Sequence, residues 1–142
     1  MTAQQDLQRF VDAQDPVYDQ VCAELRAGQK RSHWMWFVFP QIEGLGQSSM
    51  ARRYAIAHRA EAVAYLAHPI LAPRLLQCCH LVQAVEGRSL VEIFGQIDAV
   101  KFRSCMTLFA AVSESDPIFA AALQKYCDGK ADEVTLELLG PH

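Results

Sequence analysis

The sequence predicts an all-α fold: a single compact bundle of about seven to eight short helices with short connections. Three observations predict it. Apolar residues recur at i, i+3 and i+4 along most of the chain. All seven glycines fall between these periodic segments, where glycine ends helices or makes turns. No segment shows the apolar–polar alternation of a half-buried strand. At 142 residues the chain fits one domain, 1–142, with its motifs between about 6 and 139. A composition of 51% hydrophobic and 20% charged residues is that of a globular protein and excludes a disordered tail or a collagen.

Leu7, Phe10 and Val11 open the chain with helical spacing, and Val17, Val21 and Leu25 repeat it over about Pro16–Ala27. Asp15-Pro16 and Asp116-Pro117 each set an N-cap aspartate before a proline in the first helical position. Helices follow over Arg59–Ala67 and from Pro69 through Val82, with Pro73 tolerated near the start of the second. Ser89-Leu90-Val91-Glu92 has the spacing of a capping box before a short helix, Leu90–Phe94. About Ala99–Val112 carries Phe102, Cys105, Met106 and Phe109 on one face; Pro117–Cys127 and Glu133–Leu139 complete the set. Trp34–Phe39 is the one strand candidate, by its aromatic and β-branched content.

Thirteen Lys+Arg against sixteen Asp+Glu give a formal charge of −3. That argues against nucleic acid, whose phosphate backbone needs a clustered basic surface, yet leaves room for one small basic pocket. Met1–Asp6 lacks the basic and apolar regions of a secretory leader. Trp34–Phe39, as long as any unbroken apolar run in the chain, is far too short to span a membrane. The five cysteines are odd in number and irregular in spacing, which predicts reduced, largely buried thiols in a cytoplasmic protein. Cys78-Cys79-His80 lacks the spacer that tetrahedral ligation needs, so no metal site is expected. No cofactor motif occurs either.

Lys30-Arg31-Ser32-His33-Trp34-Met35-Trp36-Phe37-Val38-Phe39-Pro40-Gln41 is the least ordinary stretch. Four of the thirteen aromatics lie in the six residues 34–39, both tryptophans among them. Buried Trp and Phe dominate core energetics, so a central core segment accounts for them. A pocket wall accounts for them too, with an aromatic face against a flat ring and Lys30, Ser32 and His33 against an anionic group. A second constellation, Asp98 through Met106, puts Asp98, Lys101 and Cys105 on one helical face; structurally, Asp98 would be an N-cap paired with Lys101. A third, Arg52-Arg53-Tyr54, follows the loop Gly44–Ser49 and has the character of an exposed helix face.

These motifs carry a resemblance. Lys30-x-Ser32-His33-Trp34-Met35-Trp36-Phe37-x-Phe39-Pro40-Gln41, Gly44-Leu45-Gly46, Arg53-Tyr54-Ala55-Ile56, Ala64-Tyr65-Leu66-x-His68-Pro69 and Lys101-x-x-Ser104-x-Met106-Thr107-Leu108-Phe109 closely resemble the bacterial domain of unknown function 1810 family, over about Asp6 to Leu139. Where the resemblance implies a second serine after Ser104, this chain has Cys105. It implies a compact all-helical domain and brings no established activity. Some such sequences are labelled calpastatin; a calpastatin-type inhibitor is a long disordered chain, and this composition is globular.

Two functions are therefore expected to compete. The first is a pocket for a nucleotide-like or ADP-ribose-like anion, with possible hydrolysis at a glycosidic carbon. Its candidate catalytic pair is His33 as proton donor and Asp98 at the water. Its candidate ligand contacts are Lys30, Ser32, Trp34, Trp36, Gln41, Arg53, Tyr54, Lys101 and Ser104. The second is a noncatalytic helical module whose aromatic groove holds a protein partner. The first requires residues 30–41 and 98–104 to meet in space.

Overall fold

A computed structural model describes residues 3–141, with side chains from Leu7 onward. The expected limits 1–142 and the leader reading at Met1–Asp6 thus fall partly on residues outside the described ones. Ten helices lie among the described residues: α1 (Ala3–Gln14), α2 (Tyr18–Ala27), α3 (Met35–Val38), α4 (Ser49–Arg53), α5 (Arg59–Ala67), α6 (Leu71–Gln83), α7 (Leu90–Phe94), α8 (Gln96–Val112), α9 (Ile118–Cys127) and α10 (Glu133–Leu139). The all-helical class is as the periodicity predicts. The helix count is higher because α3 and α4, of four and five residues, are too short to show a period.

Trp34–Phe39 is a helical turn and not a strand. Val38 N–H donates to the Trp34 carbonyl (3.3 Å) and Phe39 N–H to that of Met35 (3.0 Å). A lone strand here would leave backbone groups unpaired in an apolar interior, whereas a tight turn closes them on themselves. The extended pairing among the described residues is one isolated parallel bridge, Ile42 with Ile56.

Helix starts follow local acceptors more than proline positions. Asp15 does not cap α2, which begins at Tyr18 after an uncapped Val17; Asp15 instead meets Arg74 at 2.8 Å. Asp98 is not a cap either, because α8 begins two residues earlier, at Gln96. Asp116 does accept the N–H of Ile118 (3.0 Å), and Ser89 and Glu92 form the full capping box. His68 Nδ1 accepts the N–H groups of Ile70 and Leu71 at the start of α6.

α8 is the central helix and packs on α5, α7, α9 and α10. Its Phe102 stacks on Phe94 (5.1 Å) and meets Phe39 edge-on (5.1 Å). Phe109 lies between Tyr65 and Phe119. Phe37 joins a second aromatic line through Tyr54 and Phe10 to Tyr65. Residues 37–39 therefore feed both aromatic groups from one short segment. All five cysteines are free thiols. Cys22, Cys78, Cys79 and Cys105 are buried, and burial pushes the Cys78, Cys79 and Cys105 thiols well above the ordinary range, so they are inert as nucleophiles.

Phe39 contacts Trp34, Phe94 and Phe102 and is 1% exposed. Phe39→Ala is expected to cost about 3–5 kcal/mol, read as a lowered midpoint in denaturant unfolding followed by circular dichroism.

Candidate functional site

The site starts from a carboxylate that sequence reasoning did not single out. Glu24 lies on the apolar face of α2 with Val21, Cys22 and Leu25 and is buried with them. α2 ends at Gly28, whose φ of +72° turns the chain back so that residues 31–34 pass over the Glu24 carboxylate. Glu24 Oε1 accepts the N–H groups of Arg31 (2.7 Å) and Ser32 (3.0 Å) and the indole N–H of Trp34 (3.0 Å). Oε2 accepts from Gln20 (2.9 Å) and from the Ser32 hydroxyl. Burial alone raises this carboxyl. The bonds from Ser32, Arg31, Gln20 and Trp34 outweigh burial and hold it down at about 2.

The loop so fixed delivers Lys30 to α7 and α8. Its N–H donates to the Ile93 carbonyl at 2.7 Å. Its ammonium, 8% exposed, donates to the Ser32 carbonyl (2.6 Å), pairs with Asp98 Oδ2 (2.9 Å) and lies 5.1 Å from the centroid of the Trp34 ring. Asp98 Oδ1 in turn faces the Lys101 ammonium at 3.6 Å, and that ammonium sits over the Trp36 ring, 5.0 Å from its centroid. Gly95, at φ +84°, joins α7 directly to α8 and so brings Asp98 within reach of Lys30. The two motifs, more than sixty residues apart in sequence, meet around one cleft of about 520 Å³. Lys30, His33, Trp36, Asp98 and Lys101 line it, with Met35 and Phe94 at its base and Gln96 and Ile97 at its side. The His33 ring is exposed and makes no hydrogen bond among the described residues.

The other candidate residues lie off the cleft. Trp34 is 1% exposed beneath Lys30 and is core. The Ser32 hydroxyl is taken by Glu24. Gln41 and Tyr54 line a separate cavity of about 20 Å³ on another side of Trp36, room for one water. Arg53 is exposed on α4 with its guanidinium over Tyr54. Ser104 is buried and donates to the Val100 carbonyl (3.1 Å) and to Asp132 (3.3 Å), so it helps seat the start of α10. Sequence reasoning also missed Gln14, whose buried amide donates to the Phe37 carbonyl (2.7 Å) and tethers α3 to α1. The available signal was the same for Glu24 and Gln14: a polar residue at an apolar position of a helical period.

The family model described as Protein of unknown function (DUF1810) matches residues 4–139. A solved crystal structure, that of the conserved hypothetical protein Rv1873 from Mycobacterium tuberculosis, is 54% identical in sequence, spans 96% of this chain and 98% of its own, and superposes with a TM-score of 0.94. No curated protein matches the chain.

Glu24→Gln removes the charge and turns an amide donor toward donors. It is expected to destabilise the fold by about 2–4 kcal/mol. The Glu24 carboxyl titrates near 2 when folded, against an ordinary 4.5. Its contribution is therefore complete above about pH 4.5 and is lost as pH falls toward 2. Urea unfolding at a series of pH values should show this acid limb in the wild type and a shallower one in Glu24→Gln.

Proposed function

The chain belongs to the DUF1810 family, and from that premise we propose that the cleft between residues 30–36 and the α7–α8 junction binds a small anion attached to a flat ring, as in a nucleotide or an ADP-ribose-like compound. The observation that carries this is the junction itself: Lys30, Asp98 and Lys101 form one ion cluster in the lining of a cleft walled by Trp36 and His33. Two ammonium groups and one carboxylate leave a formal charge of +1. The N-terminus of the 17-residue α8 adds positive potential at the same place. Lys101 is the less tightly held cation of the pair. It touches Asp98 only at 3.6 Å and stays partly exposed, whereas Lys30 is committed to three partners. An anion that draws Lys101 off the Trp36 face exposes that face for a ring to stack on.

The geometry supports binding more than hydrolysis. Both Asp98 oxygens face ammonium groups, and no second carboxylate among the described residues lines the cleft. A hydrolytic step would rely on His33 as proton donor and would use Asp98 to orient water.

One observation favours the noncatalytic module as a second reading. Val91, Ile97 and Val100 are 51%, 74% and 62% exposed around the same corner, an apolar cluster that suits a protein contact.

Calorimetric titration with ADP-ribose, NAD and AMP tests the first reading. Saturable binding of at least one of them is expected, weakened about tenfold or more in Lys101→Ala. Absence of binding by all three overturns it and leaves the apolar corner as the functional surface.

A further inference from the structure

A second concavity shares no lining residue with the cleft. Val63 and Leu66 of α5, Leu76 of α6, Val112 at the end of α8 and Phe119 of α9 form an apolar floor, and the loop Ser113–Asp116 forms one rim; the space is about 410 Å³. That volume and lining are those of a small-molecule pocket.

The charge around it has one sign. Glu114 and Asp116 stand on the rim, and no lysine, arginine or histidine among the described residues lines the space. Neither carboxylate takes part in an ion pair among the described residues. Asp116 uses one oxygen to accept the Ile118 N–H, and Glu114 is exposed. α8 ends at Val112 against this rim, so the negative pole of a 17-residue helix falls on the same edge. An apolar floor under two uncompensated carboxylates and a helix C-terminus complements one kind of ligand, a cation carried on a hydrocarbon body.

We propose that this concavity is a binding site for a small organic ammonium compound, its apolar body on Val63, Leu66 and Leu76 and its ammonium at Glu114. The site is independent of the cleft, and either assignment can fail without the other.

The test uses three probes of nearly equal shape and different charge: phenethylamine, 2-phenylethanol and 3-phenylpropionate. Each is titrated into the full ¹⁵N-labelled chain while amide shifts are recorded. Phenethylamine is expected to give saturable shifts over residues 63–67 and 112–119, with a Kd on the order of 1 mM. The alcohol should bind about fivefold more weakly and the carboxylate more weakly still. Glu114→Gln, a change at an exposed loop position, should bring the amine close to the alcohol. Equal binding of the amine and the carboxylate, shifts confined to other residues, or no saturable shift with the amine would each overturn the proposal.

Discussion

The cleft depends on one buried carboxylate. Glu24 sits where the helical period of α2 calls for an apolar side chain, and burying its charge is tolerable because donors from Gln20, Arg31, Ser32 and Trp34 surround it. Each of those donors also fixes something else. The amides of Arg31 and Ser32 set the path of the loop, and the indole N–H of Trp34 orients the largest core side chain. Lys30, one residue before the bound amides, is thereby delivered to Ile93 and Asp98. The ion cluster at the cleft is thus the far end of a chain of constraints that begins inside α2.

The aromatic run has two jobs on two faces. A helical turn sends successive side chains in different directions, so Trp34, Phe37 and Phe39 go inward while Trp36 remains partly exposed in the cleft wall. Phe39 joins the α7–α8 ring cluster, and Phe37 joins the line through Tyr54 and Phe10. The density of rings in residues 34–39 is therefore mostly a matter of packing. Three residues, Trp34, Phe37 and Phe39, tie two aromatic groups together with little chain to do it, and wide side chains cover that distance. Trp36 alone among the four is available to a ligand.

The all-helical class and eight of the ten helices were legible from apolar period and from glycine and proline. So was the capping box at Ser89, because its two bonds are local. The class of the 34–39 turn was not, since six apolar residues satisfy either period and only the absence of a partner strand decides. Among site residues, Lys30, His33, Trp36, Asp98 and Lys101 were legible as a set of residue types, yet their meeting was not. It rests on Gly28 and Gly95 turning the chain and on Lys30 reaching Ile93, contacts between distant segments that no local spacing encodes. Trp34 and Ser104 show the converse limit. Their types suit a ligand equally well, and only the places of Glu24 and Asp132 turn them inward.

The formal charge of −3 now has a spatial meaning. At physiological ionic strength charges are screened beyond about 8 Å, so a ligand meets a local charge and not the total. At the α7–α8 corner the Lys30–Asp98–Lys101 cluster itself carries +1, from two lysines sharing one aspartate. Around the 113–116 loop the local charge is negative, with no cation among the described residues in the lining. Helix polarity reinforces both signs, because α8 runs from the first concavity to the second, with its N-terminus at the cationic cleft and its C-terminus at the acidic rim. One central helix therefore polarises the molecule end to end. The total of −3 is therefore no argument against either local charge.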